Sequence, residues 1–95
     1  MRTLMTVRID AAAGSRALKA GRLQVVLQNL AEQIKPETAF FTSVDGDRTA
    51  FFVFDMKDTS DIPRLAEPAF QELDAKVSFA PVMNQDDLMA GLAKL

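Results

Sequence analysis

Residues Arg2 to Ile9 alternate without interruption, with Thr3, Met5, Val7 and Ile9 on one side and Arg2, Leu4, Thr6 and Arg8 on the other. A period of two is that of a β-strand and excludes an amphipathic helix over the same residues. The chain therefore opens with a strand, and later segments must supply its partners. Thr38 to Val44 and Thr49 to Asp55 are rich in β-branched and aromatic residues. Asp45, Gly46 and Asp47 between them supply turn chemistry, so the two segments read as a β-hairpin. Lys76 to Val82 alternates again through Val77 and Phe79 and makes a fourth strand.

Between these strands the apolar period lengthens to three and four. Ala11, Ala12, Ala13 and Gly14 read as a small-residue joint, and Ser15 as the N-cap of a helix running to about Ile34. Leu23, Val26, Leu27, Leu30 and Ile34 form its apolar stripe, Gly21 sits in its middle, and Pro36 stops it. Thr59 or Ser60 caps a second helix, with Pro63 in the first turn and Ile62, Leu65, Ala66, Ala69, Phe70 and Leu73 on its stripe. Pro68 lies inside that run, where its ring and missing N–H predict a kink or break. Asn84, Asp86 and Asp87 open a short last helix that carries Leu88, Met89, Leu92 and Leu95.

Right-handed crossovers place the first strand between the third and fourth, the second at an edge, and both long helices on one face. The expected fold is α+β: a ferredoxin-like βαββαβ unit over residues 1–95, with a four-stranded antiparallel sheet and a short C-terminal helix. Pairing the first and third strands groups Thr3, Met5, Val7 and Ile9 with Phe54, Phe52 and Ala50 as the core. The other face then gathers Leu4 and Thr6 with Phe51 and Val53, framed by Arg2, Arg8 and Asp55. Such a face is too apolar to be left in water. A symmetric homodimer is therefore expected, sheet against sheet, through Leu4, Thr6, Arg8, Phe51 and Val53, with Arg2 and Asp55 as an ion pair at the rim.

Composition narrows the chemistry. Eleven Lys and Arg against thirteen Asp and Glu give a net charge of −2, so there is no basic excess to neutralise phosphates, and nucleic acid is not an expected partner. No stretch approaches the roughly 20 apolar residues of a membrane span, so no membrane partner is expected. The absence of Cys and of a signal-peptide stretch in Met1 to Asp10 leads to a cytoplasmic expectation. The chain has no His, hence no imidazole base, no usual proximal haem ligand and no ordinary zinc site, and no cofactor or metal is expected. Asp45, Gly46 and Asp47 lack the spaced ligands of a calcium loop, and Gly14 with Gly21 fits no phosphate-binding loop.

The order of elements, the two-sided hydrophobic strands and the ending Phe79-Ala80-Pro81-Val82-Met83 before an acidic-capped helix resemble the dimeric α+β barrel superfamily. More narrowly, the chain resembles its small bacterial families of unknown function, over nearly its whole length. The resemblance implies a homodimer that either binds a small hydrophobic metabolite or acts as a cofactor-independent monooxygenase or isomerase. The chain also lacks Tyr and Trp, the aromatic donors that oxygenases of that superfamily tend to use, which weighs against the enzymatic alternative. No catalytic residue is assigned, and Thr3, Thr42 and Ser78 are the strand hydroxyls open to that role. A small apolar ligand would enter between helices and sheet near Met5, Val7, Phe52 and Phe54. The free edge of the second strand offers a third reading, β-augmentation by a partner.

Overall fold

A computed structural model describes residues 1–95. In chain order the elements are β1 (Arg2–Ile9), α1 (Ala11–Lys19), α2 (Leu23–Ile34), β2 (Thr38–Val44), β3 (Asp47–Asp55), α3 (Ile62–Leu73), β4 (Lys76–Pro81) and α4 (Gln85–Leu92), with a 3-10 turn at Thr59–Asp61. The four strands form one antiparallel sheet in the order β2-β3-β1-β4. β2 and β4 are its edges and do not meet, so the sheet is open rather than a closed barrel.

The hairpin is set by its turn. Asp45 and Gly46 both adopt positive φ, 51° and 84°, and Val44 pairs with Asp47. A two-residue loop of this kind matches the right-handed twist of the strands it joins. Register then runs from Thr38 opposite Val53 to Val44 opposite Asp47.

The first helical segment is two helices rather than one. α1 begins at Ala11, capped by Asp10, whose carboxylate accepts from the Ala12 and Ala13 amides at 3.2 Å. The Ala run expected to be a joint is thus the first turn, as suits the strongest helix former behind a good capping residue. Ser15 lies inside α1, where its hydroxyl accepts from Arg48 at 3.3 Å. Gly21 adopts a φ of 73° and turns the chain into α2, so it is a junction and not a mid-helix residue.

α3 also departs from expectation, because it continues without a break through Pro68. Pro68 is exposed, so water can solvate the Arg64 carbonyl that loses its donor. Leu65, Ala66, Ala69 and Leu73 on either side of it are buried and hold both halves of the helix down.

The core lies on one side of the sheet. Met5, Val7 and Phe52 are wholly inaccessible. They pack with Ile9, Ala50 and Phe54 of the strands, Leu23, Val26, Leu30 and Ile34 of α2, and Leu65, Ala69 and Leu73 of α3. This is the face assigned to the core by alternation.

α4 stands apart. Its capping box is complete, with Asn84 Oδ1 accepting from the Asp87 amide and Asp87 Oδ2 accepting from the Asn84 amide, yet none of its residues is buried. The radius of gyration is 14.8 Å, whereas a compact chain of this length has about 12 Å. The overall extents of 50 × 28 × 17 Å leave room in the thin direction for the sheet and one helical layer, so α4 is not stacked as a third layer. No helix is long and apolar enough to cross a membrane.

Replacing Pro68 with Ala restores an intrahelical donor at a site where the backbone is already helical, partly offset by a less restricted unfolded chain. The variant should be more stable by about 2 kcal/mol, a rise of roughly 10 °C in Tm by circular dichroism.

Candidate functional site

The open side of the sheet is the first candidate surface. Register places four cross-strand rows on it. One row is Phe40, Phe51, Thr6 and Ser78, and the next is Thr38, Val53, Leu4 and Ala80. A third, toward the hairpin end, is Thr42, Thr49, Arg8 and Lys76, and at the opposite end Arg2 faces Asp55. Leu4, Thr6, Arg8, Phe51 and Val53 are half-buried, and Phe40 is 67% exposed. Two central rows, with Leu4, Phe40, Phe51, Val53 and Ala80 as their apolar members and Thr6, Thr38 and Ser78 as hydroxyls, are thus bounded by charge at both ends. Phe40 is the member that residue-by-residue reading of β1 and β3 misses. The Asp45-Gly46 turn carries the signal for it, because that turn puts Phe40 directly opposite Phe51.

The charges at the ends pair differently from the expected rim pair. Arg2 lies opposite Asp55 in register, but its Nε donates to Glu37 at 2.8 Å and Nη1 donates to Asp87 of α4 at 3.2 Å. These carboxylates, Glu37 first, hold the Arg2 guanidinium further above its ordinary pKa. Arg2 consequently links the start of the β2 edge to the first turn of α4 across one end of the open face. Asp55 instead accepts from Lys57 and, at 2.7 Å, from the amino group of Met1. At the other end Arg8 donates from Nε to Asp47 at 2.9 Å, and its Nη2 lies 3.8 Å from Asp45.

The residues expected to line a ligand cleft, Met5, Val7, Phe52 and Phe54, all belong to the close-packed core. Phe54 borders a polar cleft of about 360 Å³ with Asp55, Lys57, Asp61 and Arg64 at its mouth, whereas Met5, Val7 and Phe52 border none of the clefts. Two more apolar clefts open at opposite ends of the helix side. One of about 370 Å³ lies where β1 begins and β4 ends, among Thr3, Met56, Ile62, Phe79 and Pro81. The other, about 330 Å³, lies between α2 and the β2 edge, among Ile9, Leu23, Leu27, Phe41 and Ala50. Phe41 meets the buried Phe52 edge to face, with ring centroids 5.8 Å apart.

Of the three strand hydroxyls, Thr3 is buried and donates to the Met1 carbonyl at 2.9 Å. Ser78 is exposed on the open face, and Thr42 is exposed at the edge. Every buried side-chain nitrogen and oxygen has a hydrogen-bond partner. No three carboxylates gather into a metal-holding group.

Compared with protein-family models, curated proteins and solved structures, the chain gives no match to any.

The Asp55 cluster has a definite acid signature. Lys57 first, and then the amino group of Met1, lower the Asp55 pKa from 3.8 to about 2. Because the folded value is the lower one, the stabilisation is fully present above pH 4 and is lost as pH falls toward 2. Asp55→Asn should therefore flatten the stability–pH curve between pH 4 and pH 2 while leaving the shape of the curve above pH 5 unchanged, as followed by urea denaturation.

Proposed function

We propose that this chain is the ferredoxin-like protomer of a homodimeric α+β barrel, and that the dimer is a binding module for a small apolar molecule. The observation that carries this reading is the uncovered apolar centre of the open face, Leu4, Phe40, Phe51 and Val53, in a sheet whose other side is already filled by helices. Antiparallel sheets that face water carry polar residues there, and contiguous apolar patches mark contact surfaces. A second copy presents the same rows in a twofold arrangement and brings Leu4, Phe51 and Val53 against their own counterparts at the roughly 10 Å spacing of stacked sheets. Thr6 and Arg8 border that contact, with Arg8 already neutralised by Asp47 and Asp45.

The ligand belongs on the helix side, which dimerisation leaves free. The cleft of about 370 Å³ beside Thr3, Met56, Ile62 and Phe79 falls in the range of small-molecule pockets and is mostly apolar. Phe79 pairs in register with Met5, so an occupant there sits against the edge of the core that holds Met5, Val7, Phe52 and Phe54. With one satisfied buried hydroxyl and no imidazole or thiol, the cleft favours retention of an apolar guest over chemistry upon it.

Sedimentation equilibrium at micromolar concentration should give twice the mass of the 10.4 kDa chain. Phe51→Glu puts an unpaired charge in the middle of the proposed contact, which costs roughly 3–5 kcal/mol when buried. It should weaken self-association at least about 100-fold, with an unchanged far-UV spectrum. A wild-type chain that stays at monomer mass across this range rules out the proposal.

A further inference from the structure

We infer that α4 is an arm that packs its apolar side on the second copy rather than on its own chain; this rests on the homodimer proposed above. α4 has eight residues, and isolated helices shorter than about 12–15 residues are marginal in water. A helix this short is held by tertiary packing, yet none of its residues is buried. Leu88, Met89 and Leu92 recur at one, three and four residue steps and remain 42%, 57% and 50% exposed, and Met83 just before the helix is 66% exposed. A well-formed capping box on a helix with no buried residue is half of a structure.

What supplies the other half follows from where α4 begins. Its first turn is tied through Asp87 to Arg2, a residue of the open face, and Arg2 is tied in turn to Glu37 beside β2. The helix thus leaves the body at the rim of the surface on which the second copy sits. A chain that docks on Leu4, Phe51 and Val53 has the first turn of α4 at the rim of its contact, where Asp87 meets Arg2.

Area points the same way. Four strands at about 4.8 Å and six or seven residues at about 3.3 Å give the open face a flat footprint of roughly 400 Å². A stable interface buries about 800 Å² on each partner. Accessible surface exceeds that flat footprint, but only Leu4, Phe40, Phe51, Val53 and Ala80 in its two central rows are apolar. The exposed apolar side of α4 with Met83, linked to the same rim through Arg2 and Asp87, adds apolar area to the contact. Because both copies carry the arm, a twofold pair uses it twice.

Hydrogen exchange of the full chain, followed by mass spectrometry across a concentration series, reads the arm directly. Amides of residues 88–92 should exchange at least about 10-fold more slowly above the dimer midpoint than below it, in step with amides of β1. Leu88→Glu combined with Leu92→Glu should raise the dimer dissociation constant at least about 30-fold, while the melting temperature of the dilute monomer stays where it is. If the chain dimerises but residues 88–92 exchange equally fast at every concentration and the double variant associates as well as the parent, the arm is refuted and the dimer stands. Slow exchange of these residues in dilute monomer also refutes it, because α4 would then be covered by its own chain. A chain that is monomeric at all concentrations refutes both.

Discussion

β1 and β3 lie side by side in the middle of the sheet and carry apolar side chains on both faces, and the rest of the molecule is arranged around that fact. One set, Met5, Val7, Ile9, Phe52 and Phe54, is sealed beneath α2 and α3. Burial of this set is the dominant favourable term available to a chain of this size. The second set, Leu4, Phe51 and Val53, projects the other way because the side-chain period of a strand is two. No choice of rotamer can move it into the core.

Charge is used at the ends of this sheet rather than in its middle. Arg2 and Arg8 stand on the same face of β1, six residues apart, and each holds two carboxylates contributed by other elements. Exposed ion pairs of this kind contribute little to stability. Their consequence is positional: they mark the limits of the apolar rows, and through Asp87 they fix where α4 leaves the body. The Asp55, Lys57 and Met1 group closes the same end of the sheet.

The helix side is a filled core with clefts at its margins. Met5, Val7 and Phe52 have no free surface, so a guest can only meet the outer ring of residues such as Phe79, Ile62 and Met56. Close packing at crystal-like density is what a small core requires for stability, and it displaces binding volume to places where elements diverge. The start of β1 and the end of β4 form one such place, and the gap between α2 and the β2 edge forms another.

Much of this is legible in the sequence. Alternation in β1 assigned its two faces, Asp45-Gly46 announced the hairpin, and Asn84 with Asp87 announced the capping of α4, because each is dictated by sterics and hydrogen bonding within a few residues. The helical split at Gly21 was also local but ambiguous, since a glycine in an apolar stripe serves equally as a tolerated interior residue or a left-handed turn. Continuity of α3 through Pro68 was decided by the burial of Leu65 and Leu73 against the sheet, which local propensity cannot weigh. The partners of Arg2, 35 and 85 residues away, the position of the clefts and the isolation of α4 were settled only in three dimensions. They depend on which distant chain segments the sheet register brings within reach, and no periodicity in the sequence encodes that.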